Sequence, residues 1–307
     1  MQRKSRRPAP CFPRRVWHCA GLIALLAASA AGAQTRAAST ALQTKIAEAT
    51  KILERDARLA AIPPAKRADF VEFVAGNMLF ALAHEIGHAT ISQMQLIVLG
   101  REEDAADAFA TLFGLNMGTD FAADVLADTA KAWFISHERG RREGEELLFY
   151  DEHGIDKQRA YNIVCLMVGS DAQKFKLLAE KARMPEERQK TCAFDYSNAS
   201  WSWNKALEPH RRSADKPQTK INVRYAADDE GGALKQVFRH IRFLEGPAGY
   251  IAEKFAWPRE LTLEMRSCDV GARWYPARQQ IVVCYELASD FAELYLAAMS
   301  RGMQEVE

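Results

Sequence analysis

Leu79-Phe80-Ala81-Leu82-Ala83-His84-Glu85-Ile86-Gly87-His88-Ala89-Thr90 sets an HExxH pattern inside an apolar run with no proline. On a helix, residues four apart project from one face. The imidazoles of His84 and His88 are therefore predicted to hold one metal ion at about 2.0–2.1 Å. Glu85 is turned one residue round from His84, so it points beside such an ion rather than at it. A carboxylate there suits a general base acting on a water next to the metal. So short a pattern also arises by chance on solvated helices. Here residues 79–83 are all apolar. Histidines buried in such a helix need partners, either a metal or the polar groups of a core.

The segment that follows supplies the next donors. Gly100 marks a break, and Gly100-Arg101-Glu102-Glu103-Asp104-Ala105-Ala106-Asp107-Ala108-Phe109-Ala110 reads as a new helix with acids in its first turn. Carboxylates are favoured there by the helix dipole alone. Beside an HExxH helix they gain a second meaning, because a catalytic zinc takes three protein ligands and His₂Glu is a standard set. Glu103 and Asp107 share one face, so Glu103 is predicted to complete the site. Asp107 would then bind the free ring nitrogen of a ligand histidine. Glu102 competes as ligand but has only Ala106 four residues on.

Upstream, Leu42, Ile46, Ala49, Ile52 and Leu53 predict a helix within residues 40–60, ended by Pro63-Pro64. The HExxH helix is expected to open at or just before Asp69 and to bury Phe70, Phe73, Val74, Met78 and Leu82. Residues 1–33 read as a bacterial export signal: six basic residues and no acid, a short apolar segment from Val16 to Ala30, and Ala31-Gly32-Ala33 before Gln34. Without that signal, 35 Lys and Arg stand against 40 Asp and Glu, so the net charge moves from +1 to −5. The short basic clusters give no nucleic-acid footprint. No later stretch reads as a membrane span. A periplasmic or secreted location follows.

Export governs the cysteines. Cys165, Cys192, Cys268 and Cys284 remain after the signal, with no CxxC among them, and an even number in an oxidising compartment favours disulfides. Of the three pairings, the local one is expected, Cys165–Cys192 and Cys268–Cys284. Residues 119–140 and 171–183 read as amphipathic helices, with Met184-Pro185-Glu186 opening another. Tyr150 to Asp156 form a polar loop before a helix. Hydrolysis at a metal needs a donor for the developing oxyanion, and His153, Arg159 and Tyr161 are the candidates. Trp201 and Trp203 are expected to pack, and residues 211–219 to form a loop. Residues 221–225, 261–265 and 280–284 read as strands, with a turn at residues 275–279 between the last two, and a final helix covers residues 286–299.

HEIGH followed by Glu103-x-x-Ala106-Asp107-x-Phe109-Ala110 resembles the Glu-zincin metallopeptidases, in which ExxAD carries the third ligand. Longer stretches are similar to the DUF4344 family of bacterial metallopeptidases: Gly100–Ala110, His153-Gly154-x-Asp156-x-Gln158-Arg159-x-Tyr161-Asn162, Gly169-Ser170-Asp171 and Cys284-Tyr285-Glu286-Leu287. The resemblance covers residues 40–300. It implies a zinc-dependent peptidase acting on peptides or proteins, without naming a substrate.

The expected architecture is α+β and mostly helical: a zincin-like core at 34–212 with Zn²⁺ on His84, His88 and Glu103, and a smaller C-terminal β-hairpin and helix region at 213–307. Two other functions use the same residues. One is a periplasmic binding or scaffolding protein whose zinc is structural, and the other is a zinc amidase acting on a cell-wall amide. A structural site is closed by a fourth protein ligand, whereas a catalytic one keeps an open position. The strand entering a helix at Cys284-Tyr285-Glu286-Leu287 reads equally as a decayed copy of the metal half or as coincidence.

Overall fold

Nineteen of the 28 residues of α3 (Arg67–Met94) are buried, on every side of the helix, which makes it the element around which the others pack. The structure, a computed structural model, describes residues 44–301 apart from 217, 227–231 and 270. The expected export signal and Leu42 lie outside the described residues. Helix α1 covers residues 44–53, and a single turn, α2 (Ala57–Ala60), is capped by the Asp56 carboxylate, which accepts from the Arg58 and Leu59 N–H groups. A short 3₁₀ turn at Pro64–Lys66 leads directly into α3.

Around α3 stand α4 (Glu102–Met117), α5 (Asp120–Glu143) and α11 (Tyr285–Ser300), followed outward by α6 (Asp156–Ser170), the short α7 (Lys176–Lys181) and α8 (Glu186–Leu207). Only six residues of the expected 171–183 helix are helical. Asp171 leaves the helical region and accepts from the Gln173 and Lys174 N–H groups, which delays the helix. Trp203 packs against Phe109, with ring centroids 4.9 Å apart, but Trp201 is 66% exposed, so only one of that pair packs as expected.

Because α3 is apolar all round, residues 64–94 are long and apolar enough to span a membrane. This corrects the expectation that no stretch after residue 33 has that character. The apolar surface faces neighbouring elements instead: 78% of the qualifying window is buried within the protein.

The C-terminal part carries a four-stranded sheet in the order β1-β2-β4-β3. Strands β1 (Ile221–Tyr225), β2 (Leu261–Arg266) and β4 (Gln280–Cys284) run parallel. Helices α9 (Ala233–Ile241) and α10 (Glu245–Lys254) form the crossover from β1 to β2. The expected hairpin of residues 261–265 with residues 280–284 is therefore incorrect. Those strands are parallel neighbours, and the antiparallel partner of β4 is a further strand, β3 (Ala272–Tyr275), with the turn at Pro276–Gln279 between them. Four residues with the polar Arg273 among them gave no alternation from which to read a strand. Strands β3 and β4 lie against α3, and the described residues from Ile46 onward form one compact unit.

Both disulfides join the expected partners, Cys165–Cys192 and Cys268–Cys284. The first fastens α6 to α8 where the helices nearly touch: a Cβ on Gly169 would lie 2.2 Å from the Cys192 carbonyl oxygen. The second closes the segment containing β3. Replacing Cys165 and Cys192 together by alanine is expected to lower stability by about 3–4 kcal/mol, the loop-closure value for a separation of 27 residues. Chemical denaturation of wild type and variant measures it.

Candidate metal centre

His84 and His88 face α4 because α3 and α4 cross with small residues at the contact. A Cβ added to Gly87 would lie 3.1 Å from Ala106 Cα and 3.3 Å from its Cβ. Gly87 sits between the two histidines in sequence, and Ala106 sits between Glu103 and Asp107. The contact that brings the helices together therefore lies between the two pairs of polar side chains it joins.

The Nε2 atoms of His84 and His88 are 3.1 Å apart, and Glu103 Oε2 is 3.0 Å from the first and 3.3 Å from the second. Ligand atoms at 2.0–2.1 Å from one tetrahedral ion are about 3.3 Å from one another. The triangle thus has the dimensions of one face of a metal coordination tetrahedron, and two imidazoles with a carboxylate are a donor set that suits a divalent transition ion. His153 Nε2 lies 3.0 Å from the same Glu103 oxygen, so His84, Glu103 and His153 also form a group able to hold an ion.

Each ring is oriented from behind. His84 Nδ1 is 2.8 Å from Asp107 Oδ1, and His88 Nδ1 is 2.8 Å from Glu102 Oε1. Glu102 therefore lies on the far side of His88, away from the ligand triangle. His153 Nδ1 is 3.2 Å from Asp151 Oδ1, an oxygen that also accepts from the His153 backbone N–H. Arg159 donates from Nε and Nη2 to both oxygens of Asp107, each at 2.8 Å, and its guanidinium stacks on Trp133 at 4.0 Å. Arg159 thus reaches the site by holding Asp107. Tyr161 does not join the cluster: its hydroxyl donates to the Ala182 carbonyl and its ring packs on Phe134. Its position on α6, two residues from Arg159, turns it to another face of the helix.

Glu85 is buried beside the triangle, and its Oε2 accepts from the Trp274 backbone N–H of β3 at 2.6 Å. Burial pushes its carboxyl above the ordinary glutamate value, against the pull of His84 and His88. Burial opposes the charge on His84, but Asp107 and Glu103 overcome it and raise the imidazolium pKa to about 9. The same balance runs the other way at Asp107, where burial is outweighed by His84 and Arg159 and the pKa falls to about 2. Glu103 is held far below the usual carboxylate range; burial is overcome by hydrogen bonds from His153, His84 and His88. A cavity of about 490 Å³ opens beside His153, between the end of α5 and the loop before α6, with Arg141, Leu148, Asp156 and Arg159 among its walls.

The geometry brings the two histidines of the HExxH pattern and a carboxylate of the following helix within 3.3 Å of one another. A family model described as "Putative metallopeptidase", DUF4344, matches residues 43–207, which include every side chain of the cluster. The chain belongs to this family. Comparison with curated proteins and with solved structures found no match.

Three contacts escape a reading of the sequence. Asp151, two residues before His153, carries a turn signature that would have found it. Glu102 is visible only as a competitor to Glu103. The Trp274 N–H has no signal at all, since it is backbone from a segment 189 residues away.

Two outcomes follow from this geometry. Gly87→Ala forces the helices apart by a few tenths of an ångström and is expected to weaken metal affinity about tenfold, comparable to loss of an outer contact; chelator competition measures it. In the metal-free protein His84 stays protonated up to about pH 9, so a metal must displace that proton. Affinity is therefore expected to rise up to about tenfold per pH unit for each proton displaced, flattening as the pH passes that value. Calorimetry in buffers of differing ionisation enthalpy counts the protons released at pH 7.

Proposed function

We propose that the protein is an exported zinc metallopeptidase. The observation that carries this reading is the triangle of His84 Nε2, His88 Nε2 and Glu103 Oε2, with sides of 3.0–3.3 Å, beside the buried Glu85. His84, His88 and Glu103 would hold Zn²⁺. Bound there, the ion supplies Lewis acidity, polarising a carbonyl and bringing the pKa of water toward about 7.

The chain's own groups do the remaining work. Glu85 takes the proton of the attacking water and returns it to the leaving amine nitrogen. Its burial makes it a stronger base than an exposed glutamate. His153, whose Nδ1 is engaged by Asp151, directs Nε2 toward the cluster, where an N–H stabilises the charge developing on the carbonyl oxygen. Asp107 holds the His84 ring, and Arg159 holds Asp107 while lining the cavity in which a peptide would lie. The export signal read at 1–33 and the two disulfides support a periplasmic or secreted site of action.

A second reading is favoured by His153 itself. If its Nε2 is a fourth ligand, the site is closed and the metal is structural. One pair of variants separates the two. Glu85→Gln is expected to keep stoichiometric zinc and to lose peptide hydrolysis by about 10³-fold or more, the scale of a lost general base. His153→Ala is expected to keep the zinc and lose turnover. Unchanged turnover in Glu85→Gln with zinc bound would sink the mechanism, and loss of zinc from His153→Ala would favour the closed site.

A further inference from the structure

The side chains of the metal cluster fall between residues 84 and 159, within the family segment at 43–207, yet the base is fastened by a residue outside it. The direction of that contact follows from the strand. Cys284 N–H donates to the Gly271 carbonyl, so along β3 the odd-numbered residues turn their backbone groups toward β4. Ala272 and Trp274 turn theirs to the outer edge. There the Trp274 N–H meets Glu85 Oε2 at 2.6 Å, on a carboxylate that is 8% exposed. Among the described contacts no side-chain hydrogen bond engages Oε1, so one oxygen is fixed and the other is left for chemistry. Around this strand the chain closes on itself: Cys268 and Cys284 are joined, and Glu286 Oε2 accepts from the Cys268 N–H.

We propose that the Trp274 backbone N–H is a positioning group for Glu85, and that the disulfide-closed segment 268–284 is the part of the C-terminal region that completes the catalytic site. This rests on the metallopeptidase reading. The segment aims the base and leaves metal binding to α3 and α4. Its loss is therefore felt in the rate of the chemical step rather than in zinc content or in substrate binding.

Two arms on the full, zinc-loaded chain test it. Amide exchange followed by NMR addresses the contact without any assay of activity. In Glu85→Ala the Trp274 amide is expected to exchange at least tenfold faster than in wild type, while the Tyr275 amide, turned toward β4, keeps its rate. Such an acceleration corresponds to losing one hydrogen bond to a charged group. An unchanged Trp274 rate overturns the proposal. The second arm removes the N–H with Trp274→Pro and uses Ala272→Pro as the control, since both sit on the outer edge, where proline costs no ladder bond. Trp274→Pro is expected to retain zinc, to lose kcat by about tenfold to a hundredfold and to hold KM within about twofold. Ala272→Pro is expected to keep kcat within about threefold. Equal losses in the two, or a loss confined to KM, overturn it. If wild type cleaves no peptide, the metallopeptidase reading fails by that result, and the exchange arm alone decides the anchoring of Glu85.

Discussion

Everything at this centre depends on how closely α4 approaches α3. The approach is set by Gly87 against Ala106, a contact with no room for a methyl group. Helix axes usually lie 8–10 Å apart, with small residues at the near end of that range. Imidazole and carboxylate side chains are short, so a wider spacing would leave Glu103 unable to share a centre with both histidines. The spacing also serves the outer contacts, because Glu102 and Asp107 flank the same crossing and reach the Nδ1 atoms from opposite ends. One steric constraint thus fixes three carboxylates relative to two rings.

The second constraint is electrostatic. Three histidine nitrogens converge on one oxygen of Glu103, and a buried arginine neutralises Asp107. Taking these charges out of water is costly unless each is paired, and here every member is. The arginine is itself covered by Trp133. Charge is concentrated where a divalent cation would replace protons, so the metal-free cluster already has the donors it needs, held together by shared hydrogens.

How much of this was legible in the sequence depended on range. His84, His88, Glu103 and Asp107 could be read because helical periodicity converts spacing into direction, and Gly100 announced the turn between the helices. The disulfides followed from proximity along the chain. Arg159 was visible as a charged residue near the site, but its partner lay 52 residues away, and no local pattern distinguishes Asp107 from Asp156 as that partner. Tyr161 was drawn in by chemistry alone and was excluded by the face of α6 it occupies. Strand β3 was too short to alternate, and its parallel and antiparallel neighbours differ only in topology, which residue pattern does not encode.

The stack of Trp133, Arg159, Asp107 and His84 runs from α5 through α6 and α4 into α3, and α6 is bonded through Cys165 to α8. Arg159 and Cys165 are six residues apart, about 9 Å along the helix. The outermost helix of the bundle is therefore joined to a ring nitrogen at its centre by one covalent link and two pairs of charged contacts. Such a chain leaves little freedom for the periphery to loosen while the centre stays ordered. Melting of α8 and release of the histidine geometry belong to a single cooperative event, and the site is as durable as the bundle that encloses it.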